Sequence, residues 1–75
     1  MKVINIKIST IEEVKEFVRL VTAFDGEIDL KSGRYVVDAK SIMGIFSLDL
    51  LSPITVIAHT EDAEAFFKKI AKFAA

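Results

Sequence analysis

The spacing of the apolar residues changes repeatedly along this chain, and each change marks a new secondary-structure element. Every second residue near the N-terminus is an isoleucine, which predicts a half-buried strand over Lys2–Ile8. Ser9 and Thr10 then offer two alternative N-cap oxygens for a helix, because each is followed three residues later by a glutamate. The helix beginning at Ile11 ends at Asp25-Gly26. Its apolar stripe consists of Val14, Phe17, Val18, Val21 and Phe24.

The middle of the chain has the pattern of a hairpin followed by a short helix. Alternating side chains over residues 27–38 are interrupted by Ser32-Gly33, a tight-turn signal, and this predicts two antiparallel strands. A second helix is expected from roughly Ser41 to Leu50, since Pro53 forbids its continuation.

The last third of the chain predicts a central strand and a final helix. Residues 54–59 contain no Asp, Glu, Lys or Arg, which favours a strand paired on both sides. Thr60 is expected to cap a helix with acidic residues in its first turn (Glu61, Asp62, Glu64) and lysines near its end (Lys68, Lys69, Lys72). Its buried stripe would be Ala63, Phe66, Phe67, Ile70 and Phe73. The order βαββαβα predicts one α+β domain over residues 1–75, an open-faced β-sandwich whose four-stranded antiparallel sheet carries three helices on one face.

Composition excludes several classes of function. The net charge is −1 and the ten Lys and Arg residues are scattered, so neither nucleic-acid binding nor a polybasic membrane patch is expected. The chain has no cysteine and no apolar run long enough for a membrane span, which predicts a cytoplasmic protein without membrane insertion. Glu12, Glu13 and Glu16 are interpreted as a solvated helix face, and neither a metal nor another cofactor is expected.

The second predicted helix is too apolar for its length, because a short helix can bury only one stripe. If Ile45 and Leu48 face the sheet, then Ile42, Met43 and Phe46 project outward together. An exposed patch of this kind is typical of a partner-binding site, whereas the alternative is that a neighbouring loop or the last helix covers it.

The residues Lys40-Ser41-Ile42-Met43-Gly44 and those that follow, up to Leu48, resemble the regulatory-serine helix of the HPr family. These are the histidine-containing phosphocarriers of the bacterial phosphoenolpyruvate-dependent sugar phosphotransferase system. The resemblance implies the same fold as the one predicted from the pattern. It also implies that Ile42, Met43 and Phe46 bind partner proteins, and that Ser41 matches the serine phosphorylated by a dedicated HPr kinase. Independently of that resemblance, Ser41 is expected to cap the second helix.

The other HPr signature, Gly-x-His-Ala-Arg-Pro, is missing from this chain. Aligned without gaps, Thr10 falls on the family's phosphoryl-accepting histidine and Glu12 on its arginine. A threonine without a base is a poor nucleophile, and nearby glutamates repel phosphate. The only histidine, His59, is expected on the open face, at the opposite end of the sheet from Thr10.

The sequence therefore predicts an HPr-like regulatory or protein-interaction module that is neither an enzyme nor a competent phosphocarrier. Its expected partners are phosphotransferase-system or regulatory proteins, including an HPr kinase, and it would be a monomer or a weak homodimer. Two alternatives stay open. One is an active phosphocarrier that uses Thr10 or His59 in place of the lost histidine, and the other is a structural or ligand-binding module that shares only the fold.

Overall fold

The computed structural model describes residues 2–60 and 62–75 and contains four strands and three short or medium helices in the predicted order. The elements are β1 (Lys2–Ile6), α1 (Ile11–Ala23), β2 (Ile28–Ser32), β3 (Tyr35–Asp38), α2 (Ile42–Phe46), β4 (Ile54–Ala58) and α3 (Glu64–Lys69), followed by a 3₁₀ turn (Ala71–Phe73). None of the helices in this described part is long and apolar enough to cross a bilayer.

The four strands form one antiparallel sheet in the order β1-β4-β2-β3. The uncharged strand β4 pairs with β1 on one side and with β2 on the other, as its composition predicted. In this register Ile6 lies opposite Ile54 and Lys2 lies opposite Ala58. The start of β4 and the end of β1 therefore share one end of the sheet.

One face of the sheet is buried beneath the helices and the other is open, which confirms the open-faced α+β sandwich. Apolar residues at every second position of β2 and β4 are fully buried, whereas their neighbours Asp29, Lys31, Thr55 and Ile57 keep solvent contact. The helices and the residues directly after them contribute most of the rest of the core, mainly Val14, Phe17, Val21, Ile45, Leu48, Phe66, Ile70 and Phe73.

The turn between β2 and β3 depends on one glycine. Gly33 has a φ of +61°, a left-handed conformation that side chains with a Cβ rarely adopt. Gly33 and Arg34 form the two-residue turn that places Ser32 opposite Tyr35.

The second helix is shorter than the sequence predicted, because α2 ends at Phe46 rather than near Leu50. The hydroxyl of Ser47 donates a hydrogen bond to the carbonyl of Gly44, at the C-terminal end of the helix. Asp49 then accepts the backbone N–H of Leu51 at 3.0 Å. Short polar side chains that bond to the local backbone in this way offer it an alternative to helical hydrogen bonds.

The predicted capping of the last helix by Thr60 is wrong. The helix begins at Glu64 with Ala63 at its N-cap, and no side-chain cap is formed. The Thr60 hydroxyl accepts the N–H of Asp62 at 3.4 Å, so it closes a local turn before the helix. The buried Ala63 anchors that turn in the core, and Glu61 lies outside the described residues.

Candidate functional site

Thr10, the residue predicted from the sequence to fall at the family's histidine position, is the N-cap of α1 in the structure. Its hydroxyl oxygen accepts the N–H of Glu13 at 3.0 Å, and the Glu13 carboxylate reaches back to the N–H of Thr10 at 3.1 Å. This reciprocal pair is a capping box, and it selects Thr10 over Ser9 as the helix cap. The Thr10 side chain is therefore engaged in holding the start of the helix.

The carboxylate of Glu13 lies directly beside the Thr10 hydroxyl. Its Oε1 atom accepts the N–H of Ser9 at 3.0 Å and lies 3.3 Å from both the Ser9 and the Thr10 hydroxyl oxygens. Hydrogen bonds from the Ser9 and Thr10 backbone lower the pKa of Glu13 below 4.5. A carboxylate with a lowered pKa is a weak base, and its negative charge opposes a second anion at this position. Glu12 is exposed next to it.

His59 lies at the opposite end of the sheet from Thr10, as the strand order predicted. It directly follows β4, whose C-terminal residue Ala58 is paired with Lys2, whereas Thr10 follows the far end of β1. The imidazole Nε2 lies 2.9 Å from Oδ2 of Asp29, and its side chain is 36% exposed. Sequence reasoning missed this Asp29 partner, since the pairing of β2 with β4 depends on a register that the local pattern does not reveal.

Ser41 is the N-cap of α2, and its side chain is exposed. Its Oγ accepts the N–H of Gly44 at 3.1 Å. Gly44 packs so closely that an added Cβ would lie 3.2 Å from both Ser41 Oγ and Val37 Cβ. The absence of a side chain at Gly44 therefore lets the capped end of α2 rest against β3.

The outer flank of α2 exposes two of the three apolar residues assigned to it. Met43 is 78% exposed and Phe46 is 43% exposed, while Ile45 and Leu48 are buried toward the sheet. Ile42 differs from the expectation, because it is only partly exposed and packs against the core. Leu51, in the turn after α2, is 85% exposed and was not singled out from the sequence. We call the surface formed by Met43, Phe46 and Leu51 the docking flank.

The fold places this flank between the two ends of the sheet. α2 leaves the end of β3 at Asp38 and leads to the start of β4 at Ile54, which is the end of the sheet where β1 runs on toward Thr10. Phe46, the last residue of α2, thus lies toward the Thr10 end, and His59 lies away from it. Ser41, Met43 and Phe46 belong to α2 and its N-cap, and Leu51 lies in the turn that follows. His59 lies at the other end of the sheet and belongs to neither group.

Comparison with known proteins identifies the family. The model of the phosphotransferase-system HPr component phosphorylation site matches residues 11–75, beginning one residue after Thr10. The chain belongs to the HPr family.

Solved HPr structures share the fold over nearly the whole chain. The crystal structure of HPr-C-His from Thermoanaerobacter tengcongensis is 29% identical, with a TM-score of 0.81 over 96% of this chain and 89% of that one. A phosphocarrier protein HPr from Bacillus anthracis strain Ames is 27% identical, with a TM-score of 0.74 over 99% of this chain and 94% of that one. No curated protein sequence matches the chain significantly.

Proposed function

We propose that this HPr-family chain is a regulatory or protein-interaction module of the phosphotransferase system and not a competent phosphohistidine carrier. The observation that carries the proposal is the capping box at the start of α1. The gapless sequence alignment puts Thr10 at the histidine position, and the Glu13 carboxylate is hydrogen-bonded beside it. A phosphohistidine carrier needs an imidazole nucleophile and groups that attract the trianionic phosphate, and both requirements are unmet there.

The docking flank supports an interaction role. Met43, Phe46 and Leu51 expose apolar side chains within one short segment, residues 43–51. Aromatic side chains tend to dominate protein interfaces, and methionine adapts to partners of different shape. HPr-family proteins act through other phosphotransferase-system proteins, so we assign the flank to contacts with such proteins in the cytoplasm.

Ser41 supports regulation of that contact. Its hydroxyl is exposed and lies at the start of the helix that carries the flank. Phosphorylation would add roughly −2 charge at this position, close to Met43, and a new charge beside an apolar interface disfavours binding. We therefore propose that an HPr kinase modifies Ser41 and thereby changes partner choice.

A binding titration tests the docking role. The ¹⁵N-labelled chain is titrated with the first enzyme of the phosphotransferase system, and amide shifts are expected in α2 and in the turn at Leu51. Phe46→Ala should weaken binding at least several-fold, because the largest exposed side chain of the flank is removed. His59→Ala is the matched control and should bind as the wild type does.

A kinase assay tests the regulatory role. Incubation with HPr kinase and ATP should add one phosphoryl group to the wild type and none to Ser41→Ala. Binding shifts at His59 rather than α2, or phosphate on another serine in the wild type, would contradict the proposal.

A further inference from the structure

The two edge strands of the sheet, β1 and β3, differ in whether their outward backbone groups are hydrogen-bonded. The outer side of β1 is covered by the end of the chain, where the N–H of Lys7 donates to the carbonyl of Phe73 at 2.7 Å and the N–H of Ala75 donates to the carbonyl of Asn5 at 3.0 Å. The other edge strand, β3, pairs with β2 alone within residues 2–60 and 62–75. Its residues Tyr35 and Val36 are 70% and 57% exposed.

The hairpin register shows which backbone groups of β3 face outward. A two-residue turn makes Ser32 and Tyr35 a hydrogen-bonded pair, and bonded pairs then recur at every second position. The bond from the N–H of Ala39 to the carbonyl of Ile28, at 3.0 Å, follows the same alternation. The N–H and C=O groups of Val36 and the N–H of Asp38 therefore point away from β2. The Asp38 carbonyl accepts the N–H of Ser41 at 3.0 Å.

We propose that β3 is a homodimerisation edge, on which a second copy of this chain pairs antiparallel about Val36. Main-chain hydrogen bonds between the two copies form only where the outward N–H and C=O groups of one β3 lie opposite those of the other. In the proposed register, Val36 therefore lies opposite Val36 of the second copy, and Arg34 lies opposite Asp38. The Val36 groups bond reciprocally, and the N–H of each Asp38 donates to the carbonyl of Arg34 across the interface. The same patch is used by both copies, which gives a closed two-fold contact.

The side chains of β3 are complementary to themselves in this register. Val36 and Asp38 share one face of β3, and Arg34 lies in the turn two residues before Val36. The register places Arg34 of each copy opposite Asp38 of the other, so we expect two Arg–Asp pairs around a Val–Val contact. Asp38 also lies opposite Asp29 within its own sheet, so the arginine of the second copy would place a cation near two carboxylates. A shift of two residues would place Arg34 opposite Val36 and lose both charge pairs.

The edge is short and ends in a charged residue, but it lacks the other usual devices that prevent pairing. Natural edge strands are commonly blunted by proline, lysine, bulges or inward-pointing charges. Tyr35, Val36 and Val37 are aromatic or β-branched, and the strand contains no proline or lysine. Because β3 is only four residues long, the buried area is small and the dimer should be weak and dependent on concentration.

Sedimentation equilibrium from about 10 μM to about 1 mM protein tests the proposal. The wild type should show a monomer–dimer equilibrium, and Phe46→Ala should show the same one because the docking flank is not involved. Arg34→Asp and Asp38→Arg should each be monomeric, since each creates two like-charge pairs in its own homodimer. Urea unfolding of each variant confirms that the monomer is folded.

Mixing the two charge variants gives the decisive result. In a one-to-one mixture, each position 34–38 pair between the two variants joins an aspartate to an arginine. A heterodimer should therefore form, although neither variant dimerises alone. Val36→Pro should abolish association, because it removes an outward N–H that the monomer does not use. A wild type that stays monomeric, a mixture that fails to associate, or a Val36→Pro variant that still dimerises would each overturn the proposal.

Discussion

Glu13 is the side chain on which the proposed loss of phosphate transfer depends most directly. Its Oε1 atom accepts hydrogen bonds from the backbone N–H groups of Ser9 and Thr10, and these lower its pKa below 4.5. The sequence left Ser9 and Thr10 as alternative caps, because both have a glutamate three residues on. The structure selects Thr10, and with it the position of this carboxylate.

Glu13→Gln should reduce the dependence of stability on pH. A carboxylate whose pKa is lower in the folded state stabilises the fold above about pH 4.5, and this contribution is lost as the pH falls through the lowered folded value. The wild type should therefore be more stable than Glu13→Gln near neutral pH, and the difference should vanish in acid. Urea unfolding at several pH values measures it, with Glu12→Gln as the control that keeps the wild-type profile. A difference that grows in acid would contradict the capping box.

Ser41→Ala should cost roughly 0.5–2 kcal/mol in the free energy of unfolding, because the hydrogen bond to the Gly44 N–H is lost. Ser41→Asp should retain most of the stability, since aspartate is also a good N-cap and its charge suits the start of a helix. Thermal and urea unfolding measure both. If the two variants lose the same stability, Ser41 does not cap a helix in solution.

His59→Ala should change the free energy of unfolding by less than about 1 kcal/mol, because a partly exposed side chain without a special role contributes little to stability. The hydrogen bond to Asp29 is the only side-chain hydrogen bond of His59 found in the described residues. A double-mutant cycle with Asp29→Asn isolates the pair. A coupling energy well above that bound would give His59 a structural role that the pair geometry does not account for.

At the scale of elements, features that depend on hydrophobic spacing could be predicted from the sequence. Helix ends that depend on hydrogen bonds from local polar side chains could not. The outward flank of α2 followed from an excess of apolar residues, and Met43 and Phe46 are exposed. The early end of α2 depends on Ser47 and Asp49 bonding to the nearby backbone, which a helical hydrophobic pattern does not report. The late start of α3 has the same cause at Thr60.

Phe46→Ala should cost little folding stability, well below the ~3–5 kcal/mol of a buried phenylalanine. Phe46 is 43% exposed, so much of its surface meets water in both the folded and the unfolded chain. Phe17→Ala is the matched control, because Phe17 is fully buried and should show the full loss. Equal losses in urea unfolding would mean that Phe46 is part of the core in solution.

At the scale of the whole molecule, the fold could be predicted because its strands and helices differ in hydrophobic period and because β4 carries no charge. The sheet order β1-β4-β2-β3 agrees with a central β4. The long-range contacts could not be predicted from local pattern. The pairing of His59 with Asp29, 30 residues apart, and the covering of β1 by residues 73–75 both depend on how distant segments align.

The central claim of the proposal is that this member of the HPr family does not accept a phosphoryl group from the first enzyme of the phosphotransferase system. Incubation of the chain with the phosphotransferase first enzyme and phosphoenolpyruvate, followed by mass spectrometry under alkaline conditions that preserve phosphohistidine, tests it most directly. A histidine-bearing HPr in the same reaction is the positive control. The account predicts that the control gains one phosphoryl group and that this chain keeps its mass. A phosphoryl group on the wild-type chain, mapped to Thr10 or lost in His59→Ala, would contradict it.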